Sequence, residues 1–403
     1  MTVETGNTRT GPWTPRITAQ LAILAAAAFI YATAEILPVG ALPAISEGLG
    51  VSEALVGTLL AWYAVVAAAT TIPLVRWTAH WPRRRVLLLT LFCLTTSQVI
   101  SAMAPNFTVL AAGRALCAVT HGLMWSVLAP IATRLVPPSH SGRATTAIYV
   151  GTSLALVVGI PLTSAMSLLW GWRLAVVVIT VAAATITVAA RVALPALVLS
   201  TGQLALVGRH HHRNGRLLGV SSLMLIAVIG HFISYTFIAV IIGDVVGVPG
   251  ARLAWLLAAF GVAGLIAMPP LARPLDHRPK AITGGCMAAM SAAFVVLAVL
   301  SINGHHSTGT TVAGAAAIVL WGAMAMAVSP MLQSAAMRTA PDDPDGASGL
   351  YVTAFQIGIT GGSLAGGLLF ERAGTSAMLC ASALLVGISA IGIAASKRLF
   401  VVP

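Results

Sequence analysis

Glu35 is the one carboxylate that lies deep within an apolar stretch of this 403-residue sequence, in the segment AEILPVGALPAI. An acid at the centre of a bilayer costs about 2.5–3.5 kcal/mol on insertion scales, and burial disfavours its charged form. Such a group can exchange a proton with either side of a membrane, so Glu35 is a candidate for proton carriage or substrate binding. Two alternatives are a neutral acid bonded to helix backbone and a side chain at the outer interface, beyond Pro38.

Arg114 and His121 lie seven residues apart in a second apolar stretch, GRALCAVTHGLMW. In a helix this spacing places them on one face, with Trp125 one turn further on. A guanidinium keeps its charge and offers five donors, so Arg114 must pair with a carboxylate or with backbone carbonyls. Arg114 could clamp two helices together or take part in coupling. It could also lie near the outer membrane face. Since histidine titrates near neutral pH, Glu35, Arg114 and His121 are the candidates for proton coupling.

A second histidine and aromatic pair, His231 and Tyr235, has the spacing at which helical side chains meet. Like His121 with Trp125, this pair could stack on a ring of a bound molecule and donate hydrogen bonds to it. The alternative is a histidine packed against a neighbouring helix.

The composition indicates what must position these residues. Hydrophobic residues make up 58% of the chain and charged residues only 8%, whereas soluble proteins average about 25% charged. This excludes a water-soluble globular enzyme and predicts an all-α polytopic membrane protein, because only helices or closed barrels cross a bilayer and strand-like alternation is absent. Twelve apolar stretches are long enough to span: 18–40, 53–75, 84–104, 107–131, 142–166, 172–195, 217–242, 252–272, 281–302, 311–333, 346–370 and 375–396.

The net charge of +12 comes from arginines and lysines that cluster in alternate loops. This is the positive-inside pattern of a membrane protein rather than a nucleic-acid surface, and it predicts that both termini are cytoplasmic. The first apolar stretch shows no clear cleavage site, so we expect it to be a retained span. The four cysteines all lie in apolar stretches without CxxC spacing and are expected to be core residues.

The sequence divides into two similar halves. A shift of 197 residues places Pro73 on Pro270, Arg76 on Arg273 and His80 on His277. We therefore predict a cytoplasmic N-terminal tail (1–17), a six-helix bundle (18–195), a cytoplasmic linker (196–216), a second six-helix bundle (217–396) and a cytoplasmic C-terminal tail (397–403). Three consecutive histidines at 210–212 fit a solvated connector better than a metal site, because no carboxylate or cysteine lies near them.

Several motifs resemble those of the major facilitator superfamily. The loop PLVRWTAHWPRRR is similar to the superfamily's Gly-x-x-x-Asp-Arg-x-Gly-Arg-Arg loop with Ala79 at the aspartate position, and the copy ARPLDHRPK keeps the acid as Asp276. GRALCAVTHG resembles the arginine motif of the fourth span, and GTSLALVVGIPLTSAM resembles the antiporter motif of the fifth. Together with AEILPVGALPAI, RLVPPSHSGRA and PDDPDGASGLYVTAFQIGITGG, they resemble the drug:proton antiporter group, including sugar-efflux proteins and actinobacterial chloramphenicol-resistance exporters.

The resemblance implies a fold of twelve transmembrane helices in two pseudo-symmetric bundles with a central cavity. It implies conformational gating by Arg84, Arg143, Asp276 and Arg278. It also implies a mostly uncharged cavity, which suits a neutral, amphipathic substrate. The substrate-binding candidates on the helices that would line this cavity are Trp62, Tyr63, His121, Trp125, Tyr149, His231, Tyr235, Trp321, Tyr351 and Gln356.

The expected function is therefore proton-coupled efflux of small neutral or amphipathic compounds, sugars or chloramphenicol-like drugs, across the inner membrane by alternating access. An importer or facilitator with the same fold is the alternative. A membrane enzyme is not expected, because paired-acid and HExxH patterns are absent and the aspartates Asp342, Asp343 and Asp345 fit a turn and helix N-cap. We expect the proton gradient as the energy source with no cofactor or metal, the lipid bilayer and a small molecule as partners, no nucleic acid, and a monomer.

Overall fold

A computed structural model of the protein describes residues 13–197, 214–248, 251–305, 307–396 and 399–400. These residues form helices and connecting turns and no β-strand, which confirms the predicted all-α class. Most of the predicted linker lies outside the described residues, and so do all three histidines at 210–212. Most of the two tails lies outside them as well. The domain boundaries placed there stay predictions.

The N-terminal half consists of eight helical segments: α1 (Pro15–Gly40), α2 (Leu42–Leu49), α3 (Glu53–Trp77), α4 (Arg83–Ala102), α5 (Phe107–Arg134), α6 (Ser141–Leu154), α7 (Ile160–Trp170) and α8 (Trp172–Ala193). A π-helical turn at Ala155–Gly159 joins α6 to α7, so that the two form one long span. The turn ends beside Pro161, which lacks a backbone N–H and so interrupts the regular helical ladder.

The C-terminal half contains α9 (Gly215–Tyr235), α10 (Ile238–Val240), α11 (Ala251–His277), α12 (Pro279–Asn303), α13 (Thr308–Thr339) and α14 (Pro344–Ala395). The last helix has 52 residues, which at 1.5 Å per residue is far too long for one crossing. Gly374, with φ 76° and ψ −178°, breaks it in two, inside the gap predicted at 371–374. Eleven described helices are long and apolar enough to cross a membrane, and this break raises the number of spans to the predicted twelve.

The buried apolar residues fall into two clusters, one from residues 21–194 and one from residues 217–393. Each half therefore has a core of its own. Large apolar side chains also cover the outer surface; Leu168 and Val192, for example, are 76% and 79% exposed. An exposed apolar surface of this extent fits a protein surrounded by lipid.

Glycines allow α9 and α14 to pack closely. Gly358, Gly362 and Gly366 recur every four residues on α14, and a Cβ at each would collide with Val228, Ile229 or Ile233 of α9. Small residues at this spacing let two membrane helices approach backbone to backbone. The contact fixes the position of α9, which carries His231 and Tyr235.

Candidate functional site

Glu35 and His121 meet between α1 and α5. The imidazole Nδ1 of His121 lies 3.6 Å from Oε2 of Glu35 and 3.1 Å from the hydroxyl of Tyr63 on α3. The His121 side chain is 6% exposed, whereas that of Glu35 is 22% exposed. The carboxylate is therefore the accessible member of this group, with the histidine and the tyrosine behind it.

Arg114 contacts α1 through backbone carbonyls. Its Nη1 and Nη2 donate to the carbonyl oxygens of Ala34 and Glu35 at 2.6 and 2.5 Å. The carbonyl of Ala34 is the one left without a helical donor, because residue 38, four positions later, is a proline. The sequence leaves a carboxylate and backbone carbonyls as possible partners of Arg114, and the structure shows the carbonyls. The guanidinium also lies 5.2 Å from the centre of the Tyr63 ring, a cation–π distance.

Three further residues complete this group, and the sequence analysis did not assign them to a site. The hydroxyl of Tyr31 donates to the carbonyl of Cys117 at 2.9 Å and lies 3.2 Å from Oγ1 of Thr120. The thiol of Cys117 lies 3.3 Å from the Tyr63 hydroxyl. The spacing of Tyr31 from Glu35, four residues on α1, is a signal that could have identified it.

A second cluster lies in the C-terminal half around His231. The indole Nε1 of Trp321 donates to His231 Nδ1 at 2.9 Å, and the ring of Tyr235 stacks on the imidazole at a centroid distance of 5.1 Å. Trp321 is fully buried, between Phe260 and Phe294. It therefore lies behind His231 in this structure, and its contact with substrate stays a prediction.

Several predicted binding residues take part in contacts between the two halves. The rings of Trp125 and Tyr149 lie 6.2 Å apart, and the side chain of Tyr149 interacts with Tyr351 of the other half. The amide of Gln333 donates to Ser348 at 2.9 Å and to the carbonyl of Trp125 at 3.4 Å. These residues form a contact layer between the halves.

Two other predicted binding residues lie elsewhere. Gln356 is buried on α14. Trp62 is 68% exposed and shares an outer stripe of α3 with Leu55 and Val65. The structure therefore does not bring Trp62 to either histidine cluster.

Two aspartates of the C-terminal half close one end of the bundle, the end at which α1 begins and which we call the basal end. Asp345 lies 3.0 Å from Nε of Arg83 and 2.6 Å from Nη2 of Arg134. Asp276 lies 2.8 Å from Nε of Arg143 and also accepts the backbone N–H of Gly142. All four of these partners are in the N-terminal half, so the contacts hold the two halves together.

Arg338 supports the second pair from within the C-terminal half. Its Nη2 donates to Ser141 of the other half at 3.0 Å and lies 3.6 Å from Asp276. A cavity of about 290 Å³ opens beside it, between Thr133 and Pro138 of one half and Ser334 and Met337 of the other, among other residues.

The predicted gating residues are only partly brought together. Arg143 and Asp276 pair, but Arg84 donates to the carbonyl of Leu194 within its own half. Arg278 is exposed at the basal end. Arg83, Arg134, Arg338 and Asp345 were not predicted in this role.

Asp343 is the helix N-cap, accepting the N–H of Gly346, as the sequence analysis predicted for the aspartates before α14. Asp345, two residues later, was placed in the same turn and cap. The structure corrects that interpretation, because Asp345 accepts the basal arginines instead.

The side chains that could hold a metal ion in the described residues are those of His, Cys, Asp and Glu. Within residues 13–197, 214–248, 251–305, 307–396 and 399–400, no group of three or more His, Cys, Asp and Glu side chains is arranged to hold a metal ion. The cysteines in this part of the chain are free.

Comparison with known proteins gives a match along almost the whole chain. The family model described as Major Facilitator Superfamily matches residues 24–360 and 220–401. The chain is 66% identical over 404 residues to a chloramphenicol efflux pump of Mycobacterium tuberculosis (strain H37Rv), covering 99% of this chain and 98% of the relative. It is 27% identical over 369 residues to a probable sugar efflux transporter of Mannheimia succiniciproducens, covering 92% and 91%.

A solved structure shows the same fold. The fucose:proton symporter of E. coli superposes with a TM-score of 0.70 at 17% identity, covering 93% of this chain and 97% of that chain. At this identity the likeness concerns the arrangement of the helices. It agrees with the two-bundle architecture expected from the sequence.

Proposed function

This chain belongs to the major facilitator superfamily, and we propose that it exports small neutral, amphipathic compounds of the chloramphenicol class in exchange for protons. The observation that carries the proposal is the 66% identity to a chloramphenicol efflux pump over essentially the full length of both chains. The low charge of the residues around His231 supports it, because an uncharged site favours an uncharged substrate.

Glu35 is the proposed proton carrier. Its carboxylate is partly exposed and lies beside His121 and near the permanently charged Arg114. A proton that binds Glu35 removes a negative charge from this group, and release of the proton restores it. Each change alters the attraction between α1 and the side chains of α5, which gives protonation a means of acting on helix position.

Alternating access follows from the two halves and the basal ion pairs. If the basal end is cytoplasmic, as the arginine-rich loops indicate, the pairs of Asp345 and Asp276 close the cytoplasmic side while the substrate site faces outward. Rocking of the halves would break these pairs and open the site to the cytoplasm. We place the protein in the plasma membrane as a monomer with both termini cytoplasmic, driven by the proton gradient without a cofactor or catalytic chemistry.

Sugar export is the second candidate function, since the relative at 27% identity is named a probable sugar efflux transporter. Import is the alternative direction. Both are distinguished from the main proposal by the same experiment.

The experiment measures radiolabelled chloramphenicol in everted membrane vesicles that contain the protein. Vesicles acidified inside should accumulate the drug, and an ionophore that dissipates the pH gradient should abolish accumulation. Labelled arabinose and an empty-vector membrane serve as controls. Accumulation of the sugar but not the drug would favour the second candidate, and drug movement indifferent to the gradient would overturn the coupling.

A further inference from the structure

The hydrogen bond between Trp321 and His231 determines which nitrogen of the imidazole carries the proton. An indole N–H can only donate, so Nδ1 of His231, 2.9 Å away, must be the acceptor. A neutral imidazole whose Nδ1 accepts carries its hydrogen on Nε2. His231 is therefore held as a donor through Nε2.

Trp321 is well placed to maintain this arrangement. Its side chain is fully buried, and its ring packs against Phe260 and Phe294 at centroid distances of 5.4 and 4.7 Å. It meets the imidazole edge to face, at 5.7 Å and 78°. A ring held on several sides cannot turn away from His231 without repacking the core of this half.

The Nε2 of His231 has no hydrogen-bond partner within the part of the chain that the structure describes. The side chain is only partly buried, and aromatic rings border it: Tyr235 stacks on one face and Phe232 approaches edge to face at 4.9 Å. The group thus combines one donor with an aromatic surface.

The corresponding positions of the two halves differ in chemistry. The shift of 197 residues that relates the halves places Glu35 on Phe232 and Tyr63 on Phe260. The acid and the hydroxyl of the N-terminal cluster are thus replaced by phenyl rings in the C-terminal cluster. The rings that contact His231 are those of Phe232, Tyr235 and Trp321, none of which is an acid, so this cluster is suited to a neutral ring-bearing ligand with a hydrogen-bond acceptor.

We propose that His231 binds an uncharged oxygen acceptor of an aromatic substrate through Nε2, and that Trp321 is the positioning residue that fixes His231 as this donor. The inference rests on the proposed function for the identity of the substrate. Under this proposal the N-terminal half exchanges protons at Glu35, and the C-terminal half recognises the substrate at His231.

The first test uses transport kinetics of chloramphenicol in everted vesicles. His231→Phe keeps an aromatic ring and removes the donor, so KM should rise about three- to tenfold with little change in the maximal rate, as expected for one hydrogen bond. His231→Gln retains both an acceptor for Trp321 and a donor, and should restore much of the affinity. An unchanged KM in His231→Phe would overturn the proposal.

The second test examines the positioning role directly, and its NMR readout does not depend on transport. In protein labelled with ¹⁵N-histidine, the His231 signals, assigned by their loss in His231→Gln, should show Nε2 protonated and Nδ1 unprotonated. Trp321→Phe should shift these signals toward a mixture of tautomers and raise KM, while thermal unfolding confirms that the variant is folded. An unaltered tautomer in Trp321→Phe would overturn the role of Trp321.

The two tests separate the possible failures. If the wild-type protein does not transport chloramphenicol, the proposed function fails while the tautomer measurement remains interpretable. If it transports the drug and His231→Phe behaves as wild type, only the present inference fails.

Discussion

The guanidinium of Arg114 supplies the hydrogen bond that Pro38 removes from α1. The proline has no N–H to donate to the carbonyl of Ala34, and Nη1 of Arg114 donates to that oxygen at 2.6 Å. A side chain from α5 thereby completes the backbone hydrogen bonding of α1 at Ala34, directly before Glu35. This contact explains how α1, interrupted by a proline near its C-terminal end, keeps Glu35 beside His121.

Removing Arg114 should therefore destabilise the protein, and removing Pro38 should compensate. Arg114→Ala leaves the carbonyl of Ala34 without a donor, at a cost of about 1–3 kcal/mol for a buried group. Pro38→Ala restores a backbone donor to Ala34, so Arg114→Ala should cost less in that background. Chemical denaturation of the four proteins in detergent measures this coupling. Arg191→Ala, an exposed arginine at the end of α8, is the control, and strictly additive effects would contradict the relationship.

Tyr63→Phe should lower the transport rate without unfolding the protein. The substitution removes the hydroxyl beside His121 and Cys117 but keeps the ring under Arg114. Loss of one hydrogen bond of about 0.5–1.5 kcal/mol corresponds to a two- to tenfold slower rate. Initial rates of drug uptake in vesicles measure it, with the outward-facing Trp62→Phe as the matched control. Equal rates in the two variants would show that the hydroxyl has no part in transport.

Asp345→Asn should open the basal end. Breaking a buried pair costs about 3–5 kcal/mol because the remaining charge is left unpaired, and here both Arg83 and Arg134 lose the negative charge that they face. A Ser334→Cys probe in the cavity between the halves should then react faster with a water-soluble maleimide, in a background where the native cysteines are replaced. Asp244→Asn, which alters an exposed acid of the C-terminal half, should leave the labelling rate unchanged. Slow labelling in both variants would argue against a gate at Asp345.

Arg83 and Arg84 should differ sharply although they are neighbours. Arg83 pairs with Asp345 across the halves, whereas Arg84 donates to Leu194 within its own half. Arg83→Ala should accelerate labelling of the same Ser334→Cys probe, and Arg84→Ala should not. Faster labelling in Arg84→Ala than in Arg83→Ala would instead support Arg84 as the gating residue, as the sequence predicts.

These neighbouring arginines show what the sequence predicts and what it does not. The spans, the break at Gly374 and the placement of Glu35 within a span follow from hydropathy. The direction in which each side chain points does not, because a helix that is apolar all round carries no amphipathic pattern to orient it. Trp62 and Tyr63 are adjacent, yet one is 68% exposed and the other 2%.

Contacts between residues far apart in the chain are a second feature that the sequence does not predict. Asp345 and Arg134 are 211 residues apart, and the loop around Asp345 has a composition that fits a capping turn equally well. Only the packing of the two halves shows that Asp343 caps the helix while Asp345 accepts the arginines. The loop motif has Ala79 where the superfamily has an aspartate, so the sequence shows no local partner for Arg83. The carboxylate that pairs with Arg83 is Asp345, which comes from the other half.

The most direct test of proton exchange at Glu35 uses purified protein in liposomes that enclose chloramphenicol and a pH-sensitive dye. When the drug runs down its gradient, the wild-type protein and Glu47→Gln, which alters an exposed acid on α2, should acidify the liposome interior. Glu35→Gln should release the drug without acidification, or not at all. Acidification by Glu35→Gln at the wild-type ratio of protons to drug would contradict the assignment of Glu35 as the proton carrier.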